Sequence, residues 1–140
     1  MIYSRIKYGI IVYGQAGKTK MQRIQTLQNQ LLKVISGKEY RHSTNDLHDE
    51  FDFLLVKDIA NQEIVAFVHN YFSNNLPPVF DGYFETLANT HNRNTRNGKN
   101  LIRIAGHTTD IAGSAIKIQG AKLWNKLDNS LKQISKVKMF

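Results

Sequence analysis

Between Thr19 and Gly37 the apolar positions Met21, Ile24, Leu27, Leu31, Val34 and Ile35 recur at intervals of three and four, with Lys, Arg and Gln between them. That period belongs to an α-helix with one apolar face. Thr19 is an N-cap type of residue, and Gly37 stands where a left-handed C-terminal glycine belongs. The spacing therefore predicts a helix over 20–36, with the Ile/Leu stripe inward and Lys20, Arg23 and Lys33 outward. Before it, the first thirteen residues are apolar and partly β-branched, a pattern equally open to strand or helix. Gly14-Gln15-Ala16-Gly17 marks the break between the two.

Beyond Gly37, His42-Ser43-Thr44-Asn45-Asp46 reads as a second cap, leading into a short helix around Leu47–Phe51. Asp58 is placed as the cap of a longer helix whose broad apolar face is Ile59, Ile64, Val65, Phe67, Val68, Tyr71 and Phe72. Asn74, Asn75, Pro77 and Pro78 end it. Leu76, Val79, Phe80, Tyr83 and Phe84 form a compact apolar cluster after the turn. Residues 86–100, rich in Asn, Thr and Gly, read as a polar loop. Leu101–Ile104 and Ala115–Ile118 alternate like strands and are expected to pair across a turn between Gly106 and Gly113. Gly120 then opens Ala121–Leu127, a short helix or turn around the single tryptophan. Trp124 is expected to be buried, and Asn125 to turn or cap the backbone after it. The expected fold is mainly α with a small β-hairpin, hence α+β. Its parts are a helical region over 1–85, a polar loop over 86–100 and a small β/α element over 101–140, the last packed as one unit with the first.

Composition narrows the picture. There are 140 residues, room for one domain, with no cysteine for a disulfide, a thiol nucleophile or a thiolate metal site. No apolar run approaches the length of a membrane span, and the start lacks the pattern of a cleavable leader, so no membrane association is expected. The expected location is intracellular, in nucleus or cytoplasm.

Charge changes the picture more. Residues 1–38 carry seven Lys or Arg and no acid, residues 39–85 carry nine acids against Arg41 and Lys57, and residues 86–140 carry ten bases against Asp110 and Asp128. The net charge is +8. Two basic blocks flanking an acidic one suit two polyanion-facing surfaces, although they also suit mere solubility and mutual attraction within the fold.

Few side chains suggest catalysis. Gly14-Gln15-Ala16-Gly17-Lys18-Thr19 has the look of a phosphate-binding loop, but such a loop needs a glycine five residues before the Gly of Gly-Lys-Thr. That position is Val12, so the segment reads as a glycine turn leading into a helix. The histidines at 42, 48, 69, 91 and 107 make no i, i+4 pair and read as surface or loop residues rather than metal ligands. Asp49, Glu50 and Asp52 read as a solvated helix face. No Asp-Asp dipeptide occurs. In the 86–100 loop, Arg93, Arg96 and Lys99 interleave with Asn and Thr, a mixture that suits phosphate contact and equally a flexible solvated loop.

Several segments together resemble one family. Residues 2–14, Ile2-Tyr3-Ser4-Arg5-Ile6-Lys7-Tyr8-Gly9-Ile10-Ile11-Val12-Tyr13-Gly14, resemble the stretch after the polymerase palm in reverse transcriptases of non-LTR (LINE-type) retrotransposons. Ile24-Gln25-Thr26-Leu27-Gln28-Asn29 is similar to that family's Ile-Gln-x-Leu-Gln-Asn helix, and Lys33-Val34-Ile35 to its basic, Ile-rich end. Leu54, Val56, Asp58 and Ile59 resemble the lead into the next helix. Leu76-Pro77 with Phe80, then His91 with Thr95-Arg96, resemble its punctuation. Gly120-Ala121-Lys122-Leu123-Trp124-Asn125 with Leu127 resembles Gly-x-x-Leu-Trp-Asn-x-Leu. The likeness spans the chain. It departs at Tyr13, where the family usually has Trp, and at Asp128, where it usually has Pro.

The resemblance implies a thumb-like region and the segment C-terminal to it, separated from the palm that would carry the paired catalytic aspartates. It implies a sequence-nonspecific grip on RNA or an RNA–DNA duplex through Lys18, Lys20, Arg23 and Lys33, with Arg93 and Arg96 as a second contact. It implies no catalytic residue, metal or cofactor in this chain itself. A helical protein-interaction or scaffold domain, or an inert remnant of a decayed element, are the alternatives.

Overall fold

A computed structural model describes residues 2–39, 41–90 and 101–133. Among them the chain is mainly helical and falls into two compact units, 1–61 and 62–140. No helix among the described residues is long and apolar enough to cross a membrane.

The first unit opens with α1 (Ile2–Lys7) and α2 (Ile10–Tyr13). Helix suits both segments because Tyr3 and Ile6 on α1, and Ile10 and Tyr13 on α2, are each a pair three residues apart, the spacing of one helical face. They converge on Val56, Ile59, Ala60, Met21 and Ile24. Gly9, at φ 70°, supplies the left-handed residue that turns α1 into α2. Tyr13 donates its hydroxyl to the Ile6 carbonyl. Burial lifts its pKa above the ordinary tyrosine value. Next come α3 (Lys18–Ser36) and α4 (Thr44–Glu50). The fifth helix, α5 (Val56–Phe72), contributes residues 56–61 to this unit and 62–72 to the next.

Several capping expectations shift. The N-cap of α3 is Gly17, so Thr19 lies inside the first turn; Gly37 does take the left-handed C-terminal position, at φ 63°. Ser43 precedes α4, which therefore begins three residues before Leu47. Asp58 sits within the first turn of α5, where its carboxylate still favours the positive end of the helix dipole. The amide of Val56 instead donates to Gln25 Oε1 of α3 at 2.9 Å. A side chain remote in sequence thus does what the local pattern assigns to a cap.

In the second unit Val68, Phe84, Ile102, Ala121 and Trp124 form the core, with Phe67, Tyr71, Tyr83 and Leu127 around it. A short 3-10 turn (Pro78–Phe80) brings Phe80 edge-on to Phe67 and Tyr83, ring centres 5.2 and 5.8 Å apart. Of the expected apolar cluster, Val79 points to solvent instead. The expected hairpin is not found among the described residues. Ile102 makes a lone antiparallel bridge with Thr86, and Ile116–Ile118 lie in a helix. The remaining helices are α6 (Leu87–Thr90), α7 (Asp110–Ser114), α8 (Ile116–Lys126) and α9 (Asn129–Lys132). Period-two alternation over four residues is too short to exclude a helix, and here Ile118, Ala121 and Trp124, spaced by three, decide the matter.

Gly120 does not open α8; it lies in its middle. A Cβ there would stand 2.9 Å from Val68 Cγ2 and 3.2 Å from Phe84 Cζ. Glycine is what lets α8 approach α5 this closely. Trp124 is 4% exposed, stacked on Phe72 with ring centres 5.1 Å apart.

Candidate nucleic-acid interface

The sequence-predicted site residues that fall among the described residues are all on α3. Its 19 residues hold no proline, no internal glycine and no acid, and Gly17 and Gly37 bound it. Met21, Ile24, Gln25, Gln28 and Leu32 lie on one side at helical spacing; Gln28 and Leu32 are buried, and Met21 and Ile24 pack on the first unit's core. This is not the inward stripe the apolar pattern predicts. Leu27, Val34 and Ile35 are exposed, by 64, 79 and 58%.

Amides take the inward places of those residues because the backbone around them needs partners. Gln28 Nε2 donates to the Leu54 carbonyl at 2.9 Å, while Gln25 Oε1 accepts from Val56. Gln25 Nε2 in turn donates to Gln28 Oε1 and to Asn29 Oδ1, at 2.9 and 2.8 Å. His48 joins the set: Nδ1 lies 2.7 Å from the Phe53 carbonyl oxygen and Nε2 2.9 Å from Asn29 Oδ1. Buried amides stabilise only when so paired. The network ties α3 to α4, to the 51–55 link and to the start of α5, and so fixes which face of α3 looks outward.

That outward face carries Lys20 and Arg23, and Lys18, also exposed, opens the helix on another side. At about 100° per residue, Lys20 and Arg23 stand about 60° apart on the solvent side. Lys18 stands roughly 160° from Lys20 and fans away from it. Lys33 is half-buried and about 80° round the helix from Arg23. The four predicted cations therefore do not form one row: Lys20 and Arg23 form a pair, Lys18 flanks it near the N-terminus, and Lys33 departs from it. A shallow open depression lined by Lys18, Thr19, Gln22, Arg23, Thr26, Leu27 and Gln30 runs beside them. Arg93 and Arg96 lie outside the described residues.

Gly14 caps α2 with its amide on the Ile10 carbonyl, and a Cβ at that position would collide with the Ile10 carbonyl oxygen and meet Ala60 Cβ at 3.1 Å, so the tight end of α2, and after it the packing against α5, accounts for this glycine. Asp49, Glu50 and Asp52 are exposed as expected, with Glu50 paired to Lys38. His48 and His69 correct the surface reading of the histidines, for both are buried. His69 Nδ1 lies 3.5 Å from Ser73 Oγ, and its ring adjoins Trp124. Among the described residues no group of three His, Asp or Glu is arranged to hold a metal ion.

Sequence reasoning missed the roles of Gln25, Gln28, His48 and Asn125. The signal was available for the first two: Met21, Gln25, Gln28 and Leu32 share a helical face, but only if amides are admitted to a core. Asn125 does not act on the backbone after it, as the sequence suggests. It brackets Ile102 instead, Oδ1 accepting from the amide and Nδ2 donating to the carbonyl, each at 2.8 Å.

No protein-family model, curated protein or solved structure matches this chain.

Proposed function

We propose that this chain is a non-catalytic, post-palm region of a non-LTR retrotransposon reverse transcriptase that holds template–primer nucleic acid by its phosphates. The observation that carries the reading is the Lys20–Arg23 pair, exposed on one side of a 19-residue helix that contains no acid. The sequence resemblance supplies the family. Phosphate contacts position a duplex without reading its bases, and long basic side chains on a rigid helix suit that task. Lys18 adds a third cation at the helix N-terminus, where the dipole also favours anions. The acidic middle of the chain is kept from the phosphates by like charge. The partners are RNA or an RNA–DNA duplex and the polymerase palm of the same enzyme.

A salt titration of binding to an RNA–DNA hybrid tests this. The log–log slope reports phosphates neutralised, at about 0.9 per contact. The double variant Lys20→Ala/Arg23→Ala is expected to lower it by roughly 1.8. An unchanged slope removes α3 from the interface. The reading also expects no polymerase activity, since a two-metal site needs convergent carboxylates. Metal-dependent nucleotide addition by the purified chain would refute it.

A second reading, a helical protein-interaction domain, is favoured by Leu27, Val34 and Ile35, which phosphate binding leaves without a role.

A further inference from the structure

We infer that the exposed apolar stripe of α3 is a docking face for an acidic amphipathic helix of another protein. This goes beyond the nucleic-acid reading, which uses the basic first turns of α3 and not its apolar second half.

The stripe has the spacing of a coiled-coil seam. Ile24, Leu27, Leu31 and Val34 succeed one another at three, four and three residues, the alternation of positions that face a partner helix. Ile24 begins the row at the edge of the first unit's core, Leu31 is half-buried, and Leu27 and Val34 stand well out into solvent. Ile35, also exposed, widens the row beside Val34. Side chains of this size grouped along two turns make a patch of the kind that marks an interaction site rather than scattered surface residues.

Charge selects the occupant. Arg23 flanks the seam at the position from which coiled coils reach a partner's charges, and Lys20, seven residues before Leu27, continues the seam itself toward the N-terminus as a cation. A second copy of α3 would bring only cations to meet them, because the helix has no acid. A partner helix with Leu or Ile on one face and Glu or Asp beside it meets both demands. Its apolar side chains cover Leu27, Leu31 and Val34, and its acids face Lys20 and Arg23. The anchors provide most of the binding strength, while the rim charges set partner choice and association rate.

The test uses the full chain and a synthetic four-heptad peptide with Leu at the seam positions and Glu at the flanking ones. A control peptide carries Lys in place of Glu. Binding is read by fluorescence anisotropy of the labelled peptides. The Glu peptide is expected to bind at least tenfold more tightly than the Lys peptide. Leu27→Ser/Val34→Ser is expected to weaken it by roughly tenfold or more. These side chains are exposed, so far-ultraviolet circular dichroism should be unchanged. The same variant should keep the wild-type salt slope on an RNA–DNA hybrid, which separates this face from the phosphate contacts. Equal binding of both peptides, no binding of the Glu peptide, or indifference to the double substitution overturns the proposal. So does self-association of the chain, seen by sedimentation and lost in Leu27→Ser/Val34→Ser, which would give the face to a second copy. A lowered salt slope in that variant would give it to nucleic acid.

Discussion

The two units are held together by different means. In residues 62–140 the centre is aromatic: Phe84 touches Phe67, Tyr71 and Tyr83 edge-on, and Trp124 stacks on Phe72. In residues 1–61 an aliphatic core lies next to a polar network of buried Gln28 and His48 with half-buried Gln25 and Asn29. The first kind of core gains from buried area and ring geometry, and tolerates poor fit badly. The second gains little net energy per hydrogen bond, but it is costly to break and specific about geometry. It is therefore suited to orienting α3, the helix that carries the candidate interface. The surfaces differ accordingly, for the helix oriented by amides leaves Leu27, Val34 and Ile35 uncovered.

Substitutions can break this contrast in order of size. Trp124→Ala should destabilise most, by about 3–5 kcal/mol, because it removes a large buried side chain and leaves a cavity against Val68 and Phe72. Denaturant unfolding measures it; a loss below about 1 kcal/mol would mean the ring is not a core anchor. Gln25→Ala should come next. It strands the Val56 amide and removes the donor to Gln28 and Asn29, at a cost of about 1–3 kcal/mol. Amide hydrogen exchange at Val56 should rise with it, whereas Trp124→Ala should leave that amide slower to respond than those of α8.

Asn125→Ala sharpens the comparison, because here the aromatic unit borrows the other unit's device. Losing both bonds to Ile102 should cost roughly 1–3 kcal/mol. Asn125→Asp, which keeps the acceptor but not the donor, should also destabilise, since a carboxylate would face the Ile102 carbonyl. Equal stability of Asn125→Asp and wild type in thermal melts would contradict the two-point bracket. Smallest in stability is Lys20→Ala/Arg23→Ala, expected to change unfolding by less than about 0.5 kcal/mol as exposed positions do. Its effect should appear in binding, as a lower salt slope on an RNA–DNA hybrid and a weaker preference for the Glu peptide.

Much of the helical layout was legible in the chain. The α3 boundary at Gly37, the end of α5 before the Asn and Pro residues, and the burial of Trp124 all obey local rules: a left-handed glycine, prolines that cannot continue a helix, and a large apolar ring between leucines. Local periodicity failed where two elements meet. Ala115–Ile118 alternates for only four residues, and what makes Ile116–Ile118 helical is the burial of Ile118, Ala121 and Trp124 on one face at a spacing of three. The basic residues of the candidate site were legible as types. Their grouping was not, since Lys33 is half-buried and Lys18 faces away from Lys20.

What the sequence determined by itself is therefore the mainly helical composition, the segregation of charge into blocks, and an acid-free helix over 20–36 that ends at Gly37. Those properties are local and additive: each residue contributes its own propensity and charge wherever it stands. Tertiary structure decided which face of that helix is buried. The apolar count favoured Leu27, Leu31, Val34 and Ile35, yet the neighbouring face carrying Gln25 and Gln28 turned inward. The amide of buried Val56 and the carbonyl of Leu54 found partners there, and satisfying those backbone groups outweighed covering Leu27, Val34 and Ile35.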